Sequence, residues 1–197
     1  MKKMLLAGAA VGIMSYAVVG NTMAATFDFG DTVTYHNDVL EFQFTLLDPA
    51  ANVRVWTDSF REFANFDPIM AIWNSATGEL LGQNDDNPSV SPGTQSYYDS
   101  GLVFATLPAG VYTTTIAVYS NFAVGSNFSQ GFRWDGVTPT TLADFYLRDV
   151  GGYCHIVFDG VDAASGPGDP VPEPATMMLL GAGMAGLAAA RRRKHGR

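Results

Sequence analysis

Apolar and polar residues alternate with a period of two along much of the chain. Phe42, Phe44 and Leu46 alternate with polar neighbours, and residues 53–55 and 112–118 show the same alternation. Successive side chains of a β-strand point to opposite faces, so this pattern predicts half-buried strands. Further strands are predicted at residues 69–73, 79–83, 102–106, 145–147 and 153–158.

Turn-forming residues separate the predicted strands. The sequence Ser-Ala-Thr-Gly at residues 75–78 predicts a hairpin, and Pro-Ala-Gly at 108–110 leads into another strand. Short strands at this spacing, without an amphipathic helix pattern, predict an all-β fold over residues 25–162, an antiparallel β-sandwich or jelly roll. Residues 163–170 are poor in packing groups and are predicted to be a linker.

The first 24 residues have the layout of a secretory signal peptide. Lys2 and Lys3 precede an apolar stretch over residues 4–19, and the small residues Thr22 and Ala24 suit cleavage after Ala24. An uncleaved membrane anchor is the alternative. Under both interpretations the body of the protein is exported. The expected partners are the secretion machinery and, if the peptide is cleaved, signal peptidase.

Residues 171–197 combine three features in a fixed order. The motif Pro172-Glu173-Pro174 comes first, then the apolar residues 175–190, and then the basic residues 191–197. As a helix, residues 175–190 would rise about 24 Å, slightly less than a hydrocarbon core of about 30 Å, and the basic end would stay cytoplasmic. A single transmembrane helix is therefore predicted, with the proline-flanked motif extended and open to a protease outside it.

This order resembles a PEP-CTERM sorting signal. The resemblance implies processing by an exosortase, a membrane enzyme of Gram-negative bacteria that make exopolysaccharide, at or near Pro172-Glu173-Pro174. The protein is then expected in the inner membrane before processing, and at the cell surface or outside the cell afterwards. An ordinary single-pass anchor is the alternative.

Part of the body has a resemblance of its own. Residues 66–73, 78–86, 98–100 and 107–112 are similar to the bacterial pre-peptidase C-terminal type of β-sandwich, with about half of the predicted sandwich covered. The resemblance implies a non-catalytic β domain of extracellular proteins.

The charge of the chain is strongly partitioned. Residues 25–167 carry 17 acidic and only four basic side chains, a net charge of −13, while the other basic residues lie at the two ends. Binding to nucleic acid needs clustered Lys or Arg to neutralise phosphates, so the body is not expected to bind nucleic acid.

Short oxygen-bearing side chains gather at the ends of predicted strands. Hard oxygen ligands of this kind suit a calcium ion, provided that the hairpin brings them together. The same residue types also form Asx turns and caps, so both interpretations are open. The candidate calcium ligands are Asp67, Asn84, Asp85, Asp86 and Asp99.

Two tryptophans are candidates for stacking against sugars. Trp56 and Trp134 are flanked by polar residues, whereas Trp73 lies in an apolar run that predicts a core position. The alternative for Trp56 and Trp134 is also burial in the core. Exopolysaccharide is the partner that this hypothesis implies.

No enzyme is expected. Cys154 and His155 are adjacent on a predicted strand and should point to opposite faces, which opposes a Cys–His pair, and Cys154 is expected to be buried. The predicted function is that of a non-catalytic secreted or surface-displayed protein, a structural or binding component of the exopolysaccharide or biofilm matrix. The alternatives are a dedicated carbohydrate-binding module and a small hydrolase with paired carboxylates.

Overall fold

Nine β-strands form two antiparallel sheets in residues 25–169, the part of the chain that the computed structural model describes. The strands are β1 (Ala25–Thr32), β2 (Val39–Leu46), β3 (Ala50–Thr57), β4 (Pro68–Asn74), β5 (Leu80–Asn84), β6 (Gly101–Leu107), β7 (Gly110–Val118), β8 (Tyr153–Val161) and β9 (Ala163–Ser165). One sheet has the order β1-β8-β3-β6 and the other β5-β4-β7-β2-β9. The predicted all-β sandwich architecture is confirmed.

Aromatic side chains from the two sheets meet in the core. The ring of Phe158 on β8 lies 6.3 Å from that of Phe42 and 5.7 Å from that of Phe44, both on β2 of the other sheet. Val53 and Ile156 beside them are fully buried. Burial of such apolar side chains, at about 25 cal/mol per Å², is the main force that holds the two sheets together.

The outer face of the four-stranded sheet carries a second, smaller apolar cluster. Along β8, Cys154 and Ile156 point into the core, while Tyr153, His155 and Val157 alternate with them and lie on the outer face. Val157 packs there with Trp56 of β3 and Val90 of the loop between β5 and β6. That loop therefore covers part of the outer face.

The predicted hairpin joins β4 to β5. Met70 pairs with Asn84 and Ala71 with Gln83, and Gly78 in the turn has the positive φ of 73° that glycine tolerates. Because the strands are antiparallel, the start of β4 and the end of β5 lie at the same end of the hairpin.

The strand prediction for residues 145–147 is wrong. A short helix, α1 (Leu142–Tyr146), occupies this segment, and Leu147 ends it in a left-handed conformation. Thr141 caps the helix: its hydroxyl accepts a hydrogen bond from the backbone N–H of Asp144 and donates one to the Asp144 carboxylate. A cap of this kind outweighs the β propensity of three residues.

The predicted linker is also wrong at its beginning. Residues 163–165 form β9, which pairs with residues 43–45 of β2. The chain passes from the four-stranded sheet to the five-stranded sheet at Asp162, whose carboxylate accepts a hydrogen bond from the backbone N–H of Leu47. Strand β1 was not predicted, although Phe27 and Phe29 alternate with polar residues and pack against the core.

The predicted signal peptide (1–24) and transmembrane helix (175–190) lie outside the described residues. Within residues 25–169, no helix combines the length and the apolar character needed to cross a membrane.

Candidate functional site

Three carboxylates converge where the hairpin enters and leaves its sheet. Asp67 directly precedes β4, and Asp85 and Asp86 directly follow β5, so the antiparallel pairing brings them together. One carboxylate oxygen of each lies within 4.8 Å of the other two. The structure therefore assembles three of the five predicted calcium ligands; they are called the aspartate cluster below.

Burial and mutual repulsion make these carboxylates hard to ionise together. Burial, followed by the charges of Asp85, Asp86 and Asp99, raises the pKa of Asp67 to about 8. Burial and the charge of Asp86 raise the pKa of Asp85 to about 6, and burial also raises the pKa of Asp86. A bound divalent cation would reverse both effects by compensating the negative charge.

Two oxygens of the aspartate cluster lack a hydrogen-bond donor. Oδ1 of Asp67 and Oδ1 of Asp85 are both buried without a partner. Tyr146 lies close enough that burial and then the charge of Asp67 raise its pKa to about 12. Buried polar atoms normally have partners, and carboxylate oxygens without donors are of the kind that could bind a cation.

Backbone carbonyls add to this concentration of oxygen. The hydroxyl of Ser100 lies 2.6 Å from the carbonyl oxygen of Pro68, 3.0 Å from that of Asn84, and in close contact with that of Asp85. A serine hydroxyl has one proton and can donate to only one of them at a time. The other carbonyls are of the kind that complete a calcium shell.

Asn84 and Asp99, the other two predicted ligands, have structural roles. Oδ1 of Asn84 accepts a hydrogen bond from the backbone N–H of Gly101 at 2.8 Å. Asp99 is fully buried, and its carboxylate accepts hydrogen bonds from Thr57, Ser59, Phe60 and Ser96. The contacts of these two residues are those expected of turn and cap residues, the alternative to calcium ligands.

Sequence reasoning missed Ser100 and Tyr146 as neighbours of the cluster. Ser100 follows Asp99 directly and β6 begins at the next residue, so its place at a strand end was a usable signal. Tyr146 lies in α1, far along the chain, and no local pattern connects it with Asp67.

The two candidate sugar-stacking tryptophans lie in different apolar clusters. Trp56 is only 8% exposed, packs with Val90 and Val157, and has the guanidinium of Arg54 5.5 Å from its ring centre. Trp134 is half-buried against the core, with its ring 5.0 Å from that of His36 and 5.2 Å from that of Phe145. The structure does not bring them into one stacking face, and the burial of Trp56 agrees with the alternative that the sequence left open for it.

The predicted opposition of Cys154 and His155 is confirmed. Cys154 is fully buried, and burial raises the pKa of its thiol to about 12, which favours the protonated thiol over the thiolate. His155 faces the outside of the sheet, where its Nδ1 lies 2.6 Å from a carboxylate oxygen of Asp58.

Comparison with known proteins bears on the end of the chain. Residues 170–194 match the family model described as the PEP-CTERM protein-sorting motif, and they include Pro172, Glu173 and Pro174, which lie outside the described residues. No curated protein matches the chain. The motif indicates an exported protein that is anchored at the membrane before an exosortase processes it. The resemblance of residues 66–119 to the pre-peptidase C-terminal β-sandwich stays a prediction beyond the shared all-β architecture.

Proposed function

We propose that the protein is a non-catalytic component of the extracellular polysaccharide matrix, displayed or released by exosortase processing and stabilised by calcium. The observation that carries the proposal is the sorting motif at residues 170–194. Before processing, the tail anchors the chain in the inner membrane; afterwards, residues 25–169 act at the cell surface or outside the cell.

The form of the body supports a structural or binding role. Its two sheets share one aromatic core, and its single thiol is buried within that core. A β-sandwich of this kind presents broad outer faces and loops to a partner. The exported setting favours stabilisation by an ion, because one cysteine cannot form an intramolecular disulfide.

Calcium is the proposed cofactor, and the aspartate cluster is the proposed site. Asp67, Asp85 and Asp86 would supply carboxylate oxygens, and backbone carbonyls around Ser100 at the same end of the hairpin would complete the shell. Calcium accepts six to eight oxygen ligands in flexible geometry and is available outside cells at the concentrations that weak sites need. A bound calcium ion would neutralise the negative charge of the cluster and link the start of β4 to the end of β5 through their carboxylates.

The proposal is tested on the mature C-terminus of the protein in its native host. Mass spectrometry should find the tail removed at or near Pro172-Glu173-Pro174 when the exosortase is present, and retained when the exosortase gene is deleted. The processed form should fractionate with the cell surface or the matrix. An intact tail in both strains, or full-length protein in the cytosol, would contradict the proposal.

A further inference from the structure

A polar cleft opens on the outer face of the four-stranded sheet, and none of its lining residues belongs to the aspartate cluster. Its volume is about 390 Å³, within the range of small-molecule sites. Strand β8 contributes two of its side chains and the loop between β3 and β4 contributes the rest. The β8 cleft, as it is called here, is lined by Asp58, Ser59, Arg61, Asn65, Tyr153 and His155.

The imidazole of His155 lies between two carboxylates. Its Nδ1 lies 2.6 Å from Oδ1 of Asp58, and its Nε2 lies 3.5 Å from Oδ1 of Asp28 on β1. The side chains of His155 and Asp58 are 27% and 17% exposed, whereas that of Asp28 is 71% exposed. A ring held in this way presents polar groups in one orientation, so little conformational freedom is lost when a ligand binds.

The loop beside the cleft has a strained backbone. Arg61, Glu62 and Phe63 are consecutive non-glycine residues with positive φ values of 42°, 54° and 66°. Each such conformation costs on the order of 1–2 kcal/mol. The side chain of Asn65 stabilises the loop by donating a hydrogen bond to the carbonyl of Ser59 at 2.8 Å. Strain of this kind is concentrated at functional sites, and Arg61, the first residue of the strained segment, lines the cleft.

Aromatic rings lie on both sides of this loop. Tyr153, 45% exposed, lines the cleft and lies over Gly30 of β1, where a Cβ atom would come within 2.6 Å of the tyrosine hydroxyl oxygen. On the other side, Phe63 packs in a chain of rings that ends at Tyr97, which is 69% exposed. The guanidinium of Arg148 covers Phe63 at 3.8 Å from its ring centre.

We infer that the β8 cleft binds a neutral glycan, an inference that rests on the proposed matrix function. Carboxylate oxygens of Asp28 and Asp58 accept hydrogen bonds from sugar hydroxyls, Arg61 donates them, and the exposed ring of Tyr153 stacks against a sugar face. The two carboxylates beside a single arginine, within a body of net charge −13, repel phosphates and uronic acids. A polyhydroxylated ligand without charge fits all of these groups.

The test is isothermal titration calorimetry with the full chain in mild detergent. The probes are cellohexaose and mannohexaose, with hexagalacturonate as an anionic counterpart. At least one neutral hexasaccharide should bind with a Kd below about 10 mM, and the substitutions Tyr153→Ala and Arg61→Ala should each weaken it roughly tenfold or more. Tyr119→Ala is the matched control, because Tyr119 is 43% exposed at the end of β7 in the other sheet, and it should leave the affinity unchanged.

Gly30→Ala is a second variant that removes no contacting side chain. Its Cβ atom would displace the ring of Tyr153, so the affinity should fall while the thermal unfolding curve shows a folded protein. The inference is overturned if neither neutral hexasaccharide binds, if only hexagalacturonate binds, or if Tyr153→Ala binds as well as Tyr119→Ala. Normal removal of the tail together with any of these results refutes the glycan site alone, whereas glycan binding by a protein with an unprocessed tail refutes the proposed function alone.

Discussion

Asp67 and Asp99 are both aspartates that lie just before a strand, β4 and β6 respectively, and their surroundings differ. Asp99 is fully buried, yet five N–H and O–H groups donate hydrogen bonds to its two oxygens. Asp67 is more exposed, yet one of its oxygens is buried without a donor, and two further carboxylates lie beside it. The supply of donors, rather than the depth of burial, separates a structural carboxylate from a candidate ligand.

The difference has a simple energetic basis. A buried carboxylate with several donors is satisfied by the protein itself and holds the donors in place. One without donors is satisfied only by a proton or a cation. Burial, followed by the charges of Asp85, Asp86 and Asp99, raises the pKa of Asp67 to about 8.

The largest expected effect is the loss of the Asp99 carboxylate. The substitution Asp99→Ala leaves the buried groups of Thr57, Ser59 and Ser96 without an acceptor, and the free energy of unfolding should fall by about 3–5 kcal/mol. Chemical denaturation measures this, with Asp48→Ala, an exposed position, as the control that should change it by less than about 0.5 kcal/mol. If Asp99→Ala lowers the free energy of unfolding by less than about 1 kcal/mol, the donors around Asp99 do not make it a structural carboxylate that differs from Asp67.

Calcium should produce the next largest effect, and only through the aspartate cluster. For a weak extracellular site with a Kd of about 0.1–1 mM, 10 mM calcium stabilises the folded state by about 1.4–2.7 kcal/mol, or about 3–10 °C in Tm. Differential scanning calorimetry should show this shift in the unsubstituted protein and in Asp48→Asn, and lose it in Asp85→Asn. An equal shift in all three would mean that calcium acts elsewhere.

Without calcium, stability should depend on pH through Asp67. The folded protein holds a proton on Asp67 up to a pH of about 8, whereas the unfolded chain releases it near 3.8, so the folded state binds more protons in between. The free energy of unfolding should therefore fall as the pH rises from about 4 to 8. Denaturation in EDTA should show a smaller fall in Asp67→Asn; an equally steep fall there would assign the effect to other groups.

Loss of the partly exposed ion pair between Arg54 and Asp159 should give the smallest change in the free energy of unfolding. Burial acts to raise the pKa of Asp159, but hydrogen bonds from Arg54, at 2.6 Å, and from Thr26 lower it overall. Since this ion pair is partly exposed, Arg54→Met should cost only about 0.5–1 kcal/mol in denaturant unfolding at neutral pH. A cost as large as that of Asp99→Ala would contradict the small contribution expected from a partly exposed ion pair.

The sheet architecture could be predicted because alternation and turns are local signals. Most strands follow the period-two pattern, and the predicted hairpin forms and brings Asp67 close to Asp85 and Asp86, which was the condition for the calcium interpretation. The strand prediction was wrong at residues 145–147, where the Thr141 cap outweighed β propensity. The linker prediction was wrong at residues 163–165, which form a strand because they pair with β2.

The site was only partly predictable because donors come from distant segments. Nothing near Asp99 in the sequence shows that the backbone of Ser59 and Phe60 will reach its carboxylate. The burial of Trp56 depends in the same way on Val90, which belongs to a loop that folds back over the sheet. Tertiary contacts of this kind decide which polar and aromatic residues remain available to a ligand.

Calorimetric titration of the calcium-free chain with calcium tests most directly whether the aspartate cluster holds a cation. We expect one calcium ion to bind per chain. The heat of binding should be abolished in Asp67→Asn and in Asp85→Asn, and retained in Asp48→Asn. Absence of binding at millimolar calcium, or unchanged binding in Asp67→Asn, would contradict it.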